Sequence, residues 1–310
     1  MRLAEAASPV FARHETFHPR YGWFRKAYRS VAEDPHAFDS EDAPVRIGVG
    51  KNMVRAIRFW GLAADLIAPR SESRLRRKPL EETPFGSRLF ADSGWDPWME
   101  DPGTLWLLHW RLLAAPCQLP VWWLAFNEFH PIEFTDDDLE DAVAAQLDAN
   151  ADWKAPHRSS LRKDVSALLR TYAPQERTRR TSIDDVLDCP LRELNLISRA
   201  TTPGRYRFIL GPKPTLPSEV VTAAALEFAA GTVTSGKSIA VSRLAHDAGS
   251  PGKAFKLSET ELLAALDPAV RRQHGLRLMS GTGAPVLSWF APPGDLRDNI
   301  LNDYYQAGAR

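Results

Sequence analysis

The stretch Lys51–Ile67, KNMVRAIRFWGLAADLI, repeats apolar and charged side chains with the period of an α-helix. At about 100° per residue, the apolar side chains that share one side are Met53, Ile57, Trp60, Ala64 and Ile67. The basic side chains on the opposite side are Lys51, Arg55 and Arg58. The stretch therefore predicts a helix that packs one face into a core and presents a basic face to the outside.

The segments on either side of this helix extend the pattern. Before it, aromatic side chains between Arg13 and Tyr28 recur near helical spacing, and Pro19 suits the first turn of a helix. After it, residues 74–92 (RLRRKPLEETPFGSRLFAD) are basic and interrupted by proline and glycine, which is typical of a short hairpin or wing. Helix, turn, basic-faced helix and wing together predict a winged helix-turn-helix.

The rest of the chain predicts more helices and short strands. Predicted helices lie in 103–114, 135–150, 159–173, 218–230 and 259–270, with two short helical pieces in 182–198. Residues 121–129 (VWWLAFNEF) fit either a strand or a helix, 205–210 a strand, and 275–290 a hairpin. The predicted fold is mainly α with short β-hairpins, an α+β class. Its predicted parts are a winged-helix-like domain with an aromatic core (1–131), a helical middle region (132–215) and a second winged-helix-like domain (216–310).

Composition limits the classes of protein that fit. Lys plus Arg and Asp plus Glu both number 39, so a surface for a polyanion has to be local. Cys117 and Cys189 are far apart without metal-ligand spacing, which favours buried packing in a reduced compartment. No apolar run is long enough to span a membrane and no signal segment follows Met1, so we expect a cytoplasmic protein.

Residues 231–238, GTVTSGKS, match the phosphate-binding pattern G-x-x-x-x-G-K-S/T. A working phosphate loop follows a buried strand and opens a helix, whereas the residues before Gly231 are alanine-rich and predict a helix. No apolar strand ending in an Mg²⁺-binding carboxylate follows. We therefore expect a turn between two helices and no nucleotide cofactor, although contact of Lys237 with a phosphate would reverse that interpretation.

Residues 14–18, HETFH, match the zinc-peptidase pattern H-E-x-x-H. That chemistry needs both histidines on one face of a continuous helix. Pro19 directly follows His18 and disfavours the helical conformation where the second ligand is needed. The pattern therefore does not indicate a peptidase, and His14 with Glu15 is interpreted as a packed pair or as part of another site.

Several longer blocks resemble one protein family. They are residues 14–28 (HETFHPRYGWFRKAY), 46–67 (RIGVGKNMVRAIRFWGLAADLI), 96–112 (DPWMEDPGTLWLLHWRL), 122–129 (WWLAFNEF), 250–259 (SPGKAFKLSE) and 303–305 (DYY). They resemble successive blocks of the domain-of-unknown-function family four-thousand-and-seven. The resemblance implies a place in bacterial DNA phosphorothioation and antiphage defence, in a component associated with nicking one DNA strand so that sulfur can be installed. It also implies double-stranded DNA, a cysteine desulfurase, a sulfur-transfer ATP pyrophosphatase and a P-loop ATPase as partners.

With that resemblance, the basic helix face is predicted to bind DNA. Lys51, Arg55 and Arg58 would contact phosphates, and Asn52 beside them could read an adenine edge. The alternative is a solvated basic face on an ordinary amphipathic helix. Two functions follow from the DNA-binding interpretation: a nicking endonuclease, or a non-catalytic adaptor that positions the modification enzymes.

A nickase usually needs carboxylates that hold a divalent metal, here Mg²⁺ or Mn²⁺. The densest acidic cluster near aromatic residues is in GWDPWMEDPG, where Asp96 and Glu100 are the predicted metal ligands and catalytic residues. Because Pro97 follows Asp96, Asp96 could instead cap a helix. His14 and Glu15 are the second choice, as acid and base.

Overall fold

The computed structural model describes residues 2–71, 78–149, 153–175, 189–279 and 283–308. The fold is α+β, as the sequence predicts: helices predominate and the strands form small antiparallel sheets. Parts of four predicted elements, residues 74–77, 150, 182–188 and 280–282, lie outside the described residues. None of the described helices is long and apolar enough to cross a bilayer.

The elements of the first part of the chain are α1 (Leu3–Ala6), α2 (Trp23–Glu33), α3 (Ala43–Ile47), α4 (Lys51–Ala63), β1 (Ile67–Pro69), β2 (Leu80–Glu82), α5 (Pro84–Phe90), α6 (Pro102–Leu113) and α7 (Pro120–Asn127). Those of the middle are α8 (Asp136–Asp148), α9 (Arg158–Tyr172), a 3₁₀ turn (Pro190–Leu194), β3 (Ile197–Arg199) and β4 (Tyr206–Phe208). Those of the last part are α10 (Ser218–Thr232), β5 (Ser238–Ala240), α11 (Val241–His246), α12 (Pro251–Phe255), α13 (Glu259–Arg272), β6 (Leu276–Met279), β7 (Val286–Trp289) and α14 (Pro293–Gly308).

Near the basic helix, the observed ends of several elements differ from the predicted ends. The helix predicted over 51–67 ends at Ala63, because the backbone at Asp65 turns to a positive φ of 56° and Ile67 enters β1. The helix expected from Pro19 begins at Trp23, after Gly22 at a φ of 81°. The predicted hairpin in 74–92 was wrong in its second half: β2 pairs with β1, and residues 84–90 form α5.

The start of α5 has a signal that the sequence interpretation missed. The hydroxyl of Thr83 accepts a hydrogen bond from the backbone N–H of Gly86 at 2.9 Å, and Pro84 occupies the first turn. A threonine cap followed by proline is a common helix start. The ambiguous residues 121–129 are resolved as a helix, α7.

The last part of the chain forms a three-stranded sheet in the order β5–β7–β6 beside its helices. The predicted hairpin of 275–290 is confirmed, with Leu278 opposite Leu287. The capped helices that begin after Thr135 and Ser258 are also confirmed, each with its capping box. β5 was not predicted. The winged-helix interpretation of both ends of the chain stays a prediction.

The core is rich in tryptophan, as predicted for the first half of the chain. Trp60, Trp106, Trp122 and Trp123 are fully buried, whereas Trp98 is 62% exposed. Cys117 and Cys189 are buried, which confirms their predicted packing role. One cluster of apolar side chains includes residues from 1–131, 132–215 and 216–310, and the division into these three parts stays a prediction.

The C-terminal helix α14 is fastened to the loop before α6, and we call these contacts the aromatic clasp. The rings of Trp95 and Tyr305 stack at 5.2 Å, and the Trp95 indole N–H donates to Asn302 at 2.9 Å. The Tyr304 hydroxyl donates to Asp101 at 2.7 Å. Two side chains of DYY at 303–305, those of Tyr304 and Tyr305, thus attach α14 to the loop before α6.

His109 joins three helices in the interior. Its Nδ1 lies 2.8 Å from the hydroxyl of Tyr172 in α9, and its Nε2 lies 2.9 Å from the carbonyl oxygen of Ala254 in α12. A neutral ring satisfies both contacts, with Nε2–H donating to the carbonyl and the tyrosine hydroxyl donating to Nδ1. Burial lowers the pKa of His109 to about 4, from an ordinary value near 6.5.

The free energy of unfolding is expected to fall as the pH is lowered from 6.5 towards 4. In that window the unfolded chain takes up a proton at His109 while the folded chain does not, so acid favours unfolding by on the order of 3 kcal/mol. His18, whose pKa burial and Arg192 lower to about 3, acts in the same direction. Denaturant unfolding at several pH values measures the effect. His109→Gln should flatten the profile, the exposed control His246→Gln should not, and identical profiles for all three proteins would contradict the assignment.

Candidate nucleic-acid interface

A groove of about 1100 Å³ runs beside the basic face of α4. Its cationic side chains come from three separate segments and are Arg13, Lys51, Arg55, Arg58 and Lys78. The helix is held in place by its other face, where Ile57 and Trp60 have no exposed surface. The amphipathic pattern of the sequence therefore places its basic side chains along an open groove.

In the part of the chain that the structure describes, most of the positive charges in this groove have no carboxylate partner. Among the described residues, Arg13, Lys51 and Arg58 take part in no ion pair, and Arg55 lies 3.5 Å from Glu15. Of the wall residues that the structure describes, the carboxylates are Asp39 and Glu41, fewer than the cations. The N-terminus of α4 adds partial positive charge where Lys51 lies, since no side chain caps it and its first turn holds no acidic residue. The arrangement suits an anion with several charged groups.

Asn52 is exposed in the first turn of α4, but it is not one of the residues that line the groove. Its predicted role in reading an adenine edge stays a prediction. The sequence did not single out Arg13, Lys78, Asp39 and Glu41, because they lie on loops outside α4 and no helical spacing relates them to its basic face. The only sequence signal for Lys78 was the basic run before Pro79.

His14 and Glu15 lie in a tight turn rather than in a helix, with positive φ at Glu15 and Thr16. The His14 ring is fully buried, and its Nε2 lies 2.6 Å from Oδ1 of Asp164 in α9. The zinc-peptidase geometry is therefore not formed, as expected from Pro19. The interpretation of His14 and Glu15 as one packed pair needs correction, since His14 packs inward on Asp164 and Glu15 pairs outward with Arg55.

Because the His14 ring has no exposed surface, a phosphate in the groove would not contact it in this conformation. Glu15 is the member of the pair that reaches the groove, through Arg55. The structure thus separates the two predicted acid/base residues into an interior position and a groove-side position.

The predicted metal ligands Asp96 and Glu100 are arranged differently from a metal site. Oδ1 of Asp96 accepts the backbone N–H of Glu100 at 2.9 Å, and Oδ2 accepts the N–H of Asp101 at 3.0 Å and the hydroxyl of Thr104 at 2.7 Å. The Glu100 side chain is exposed. The alternative, Asp96 as a helix cap, is also incorrect in detail, since α6 starts at Pro102 and Asp101 caps it.

These contacts do not fit Mg²⁺ at Asp96 in this conformation, because hydrogen-bond donors of the chain already engage both carboxylate oxygens. Over the described ranges, no group of three or more His, Cys, Asp or Glu side chains is positioned to share a metal ion. Involvement of Mg²⁺ or Mn²⁺ stays a prediction.

Residues 231–238 connect elements in the wrong order for a phosphate loop. α10 runs through Thr232 before the connection, and Ser238 begins β5 after it. The N–H groups of a helix N-terminus are therefore not available to cradle phosphates at Gly236 and Lys237. The expected turn between two helices is corrected to a connection from a helix to a strand.

The sequence matches the model of a family described as "Protein of unknown function (DUF4007)" over residues 11–305. The chain belongs to the DUF4007 family. Two solved structures are similar to it, a "Magnesium ion-bound SspB crystal structure" and an "SspB crystal structure", both at 36% sequence identity. For the first, the TM-score is 0.92, and the match covers 98% of this chain and 90% of the other. For the second, the TM-score is 0.91, and the match covers 99% of this chain and 91% of the other. Among curated proteins, no significant match is found.

Membership in DUF4007 puts the family blocks of the sequence into structural context. The block at 46–67 builds α4 and one wall of the basic groove, and the blocks at 96–112 and 303–305 meet in the aromatic clasp. The block at 250–259 forms α12 and lies in a different part of the DUF4007 fold.

Proposed function

We propose that this DUF4007 protein binds duplex DNA in the basic groove and nicks one strand, in a phosphorothioation and defence system of the kind to which SspB belongs. The observation that carries the proposal is the row of cations along α4 and the loops beside it, of which Arg13, Lys51 and Arg58 have no ion-pair partner among the described residues. DNA presents about one negative charge for each 1.7 Å of its axis, so several cations in a row can each meet a phosphate. The family resemblance and the SspB-like fold support the same function.

Cleavage of a phosphodiester needs positive charge around the phosphoryl oxygens and an acceptor for the proton of the attacking water. Lys51 and Arg58 are positioned to supply the charge. Asp39, Glu41 and Glu15 are the carboxylates at the groove, and we propose them, in place of Asp96 and Glu100, as the acidic side chains within reach of a bound phosphate. A divalent metal, when bound, would supply further stabilisation of negative charge.

The proposal predicts that purified protein converts supercoiled plasmid to open circles in Mg²⁺ and that EDTA abolishes the conversion. Asp39→Asn/Glu41→Gln should reduce the nicking rate by roughly 100-fold or more with duplex affinity retained, because these changes remove carboxylates and leave the cations. Agarose gel quantification of open circles measures the rate. Glu100→Gln, an exposed carboxylate away from the groove, is the matched control and should nick at the wild-type rate.

A non-catalytic adaptor is the second candidate, favoured by the absence of a metal-binding cluster among the described residues. It would bind the same duplex and recruit the sulfur-transfer partners: a cysteine desulfurase, an ATP pyrophosphatase and a P-loop ATPase. Wild-type protein that binds duplex tightly and yields no open circles in Mg²⁺ or Mn²⁺ would replace the nickase with this adaptor. Nicking that is lost in Glu100→Gln and kept in Asp39→Asn/Glu41→Gln would return the catalytic role to the loop before α6.

A further inference from the structure

We propose that a second cavity, formed by α11, α12 and the ends of α7 and β4, docks an apolar anchor side chain of an acidic segment of another protein. The cavity has a volume of about 730 Å³ and lies among Phe126, Phe129, Phe208 and Leu257. A volume of this size accommodates one or two large side chains together with part of a peptide backbone. The cavity shares no lining residue with the basic groove, and the proposal does not rest on the proposed function.

The rim of the cavity favours a peptide over a small molecule. Ile132 and Leu210 line it and are 86% and 74% exposed, although both are large aliphatic side chains. A single exposed aliphatic residue is ordinary, but two at the mouth of one apolar cavity form a patch of the kind that binds protein partners. A small molecule held among the phenylalanines would leave both rim side chains in water, whereas a peptide crossing the mouth would cover them.

The charge around the cavity indicates that the peptide is acidic. The basic and titratable lining residues are His130, Arg207, His246, Lys253 and Lys256. Of the described lining residues, Glu261 is the carboxylate, and it accepts the backbone N–H of Ser258 at 2.8 Å in the cap of α13. Glu259 lies 3.6 Å from His246 at the edge. Complementarity of charge therefore selects Asp or Glu residues next to the apolar anchor.

Lys256 contributes to this preference from inside. Its ammonium is buried, donates to the carbonyl oxygen of Phe126 at 2.7 Å and lies 4.1 Å from the Phe208 ring centroid. That carbonyl is its only oxygen acceptor among the described residues, so the ammonium, which also lies over the Phe208 ring, has hydrogen-bonding capacity left for a ligand. Burial and the nearby Lys253 and Lys213 lower the pKa of Lys256 to about 7. A carboxylate on the docked segment would stabilise the charged form of Lys256, because it would offset both the burial of the ammonium and the repulsion from Lys253 and Lys213.

The family block SPGKAFKLSE at 250–259 contributes to the wall of this cavity, and none of its residues lines the basic groove. A Cβ at Gly252 would lie 2.5 Å from the backbone of Ala245, so glycine is needed for α11 and α12 to pack this closely. Lys256 follows α12 with a positive φ of 56°, a conformation that lysine rarely adopts. The block therefore fixes the position of the buried lysine at the cavity, which the DNA-binding proposal leaves unexplained.

Selection of random dodecapeptides displayed on phage against the full-length protein tests the proposal. We expect enriched peptides to share one large apolar residue flanked by Asp or Glu. Ile132→Glu/Leu210→Glu should weaken binding of a fluorescein-labelled enriched peptide by at least about tenfold, since it adds like charge at an exposed rim without touching the core. Lys253→Glu should act in the same direction. Val45→Glu, at a side chain 84% exposed outside the cavity, is the matched control and should bind as wild type.

Three results would overturn the docking proposal. They are enriched peptides without acidic residues, equal binding by Ile132→Glu/Leu210→Glu and wild type, and no peptide enriched on wild type above the level found on that double variant. The last result is also the one expected if the cavity takes a small anion. Plasmid nicking by Ile132→Glu/Leu210→Glu should equal wild type, so failure of the docking proposal and failure of the nickase proposal give different readouts.

Discussion

Replacing both Lys51 and Arg58 by alanine is expected to weaken duplex binding roughly 60-fold at about 0.1 M salt. Each phosphate contact that is lost removes about 0.9 from the slope of log K against log salt concentration, so two contacts reduce the slope by about 2. Both side chains line the groove and, among the described residues, neither has a carboxylate partner. Fluorescence anisotropy of a labelled duplex at several salt concentrations gives the affinity and the slope together.

The same titration includes a variant with the opposite expected sign. Glu15→Gln removes the carboxylate 3.5 Å from Arg55, so Arg55 becomes fully available and duplex affinity should rise severalfold. Arg243→Ala/Arg271→Ala matches the charge change of the first variant at two exposed arginines that pair with carboxylates four residues away, and it should bind as wild type. Equal affinity and equal salt slope for Lys51→Ala/Arg58→Ala and wild type would reject the basic groove as the DNA surface.

Asp96→Ala is expected to lower the free energy of unfolding by about 3 kcal/mol. The substitution leaves two backbone N–H groups and the Thr104 hydroxyl without their acceptor, and the site is only 7% exposed. Unsatisfied buried donors each cost on the order of 1 kcal/mol or more. The Thr104 hydroxyl also lies 2.9 Å from the hydroxyl of Tyr305, so the loss extends into the aromatic clasp.

Chemical denaturation of Asp96→Ala and Glu100→Ala measures this effect. The exposed Glu100→Ala should change the free energy of unfolding by less than about 0.5 kcal/mol. Asp96→Ala protein that unfolds with wild-type stability and has lost metal-dependent nicking would contradict the structural role and favour the original metal-ligand hypothesis. Comparing stability with nicking in the same preparation separates the two roles.

The features of the fold that a local pattern encodes could be predicted from the sequence. The opposed faces of α4 follow from a period of 3.6 residues, and the caps at Thr135 and Ser258 follow from residues three positions apart. β5 was missed because a strand this short is decided by what packs on it, whereas α5 was missed although Thr83 and Pro84 carry a local signal for its start. The phosphate- and zinc-binding patterns each need a particular element, and the structure has a different one at both places: a turn at residues 14–16 and a helix-to-strand connection at residues 231–238.

The candidate site could be predicted only in part. Lys51, Arg55 and Arg58 share one helix face, so their proximity follows from the sequence. Arg13, Asp39 and Lys78 join them through tertiary packing, which no spacing along the chain reports. The prediction of Asp96 as a metal ligand failed for a related reason. A carboxylate among aromatic residues suggests a catalytic site, but the partners of Asp96 include backbone N–H groups, which cannot be identified from residue types.

The aromatic clasp also determines which native contacts must form late during synthesis of the chain. Thr104 and Tyr305 are 201 positions apart, so the ribosome adds that many residues after Thr104 before the two hydroxyl groups can meet. Until then Trp95 lacks its stacking partner Tyr305. The loop that holds Asp96 can contact α6, through Thr104, but not yet α14. The contacts of Trp95 and Thr104 with α14 therefore form only after the ribosome has released Tyr305, long after the residues around Asp96 have been synthesised.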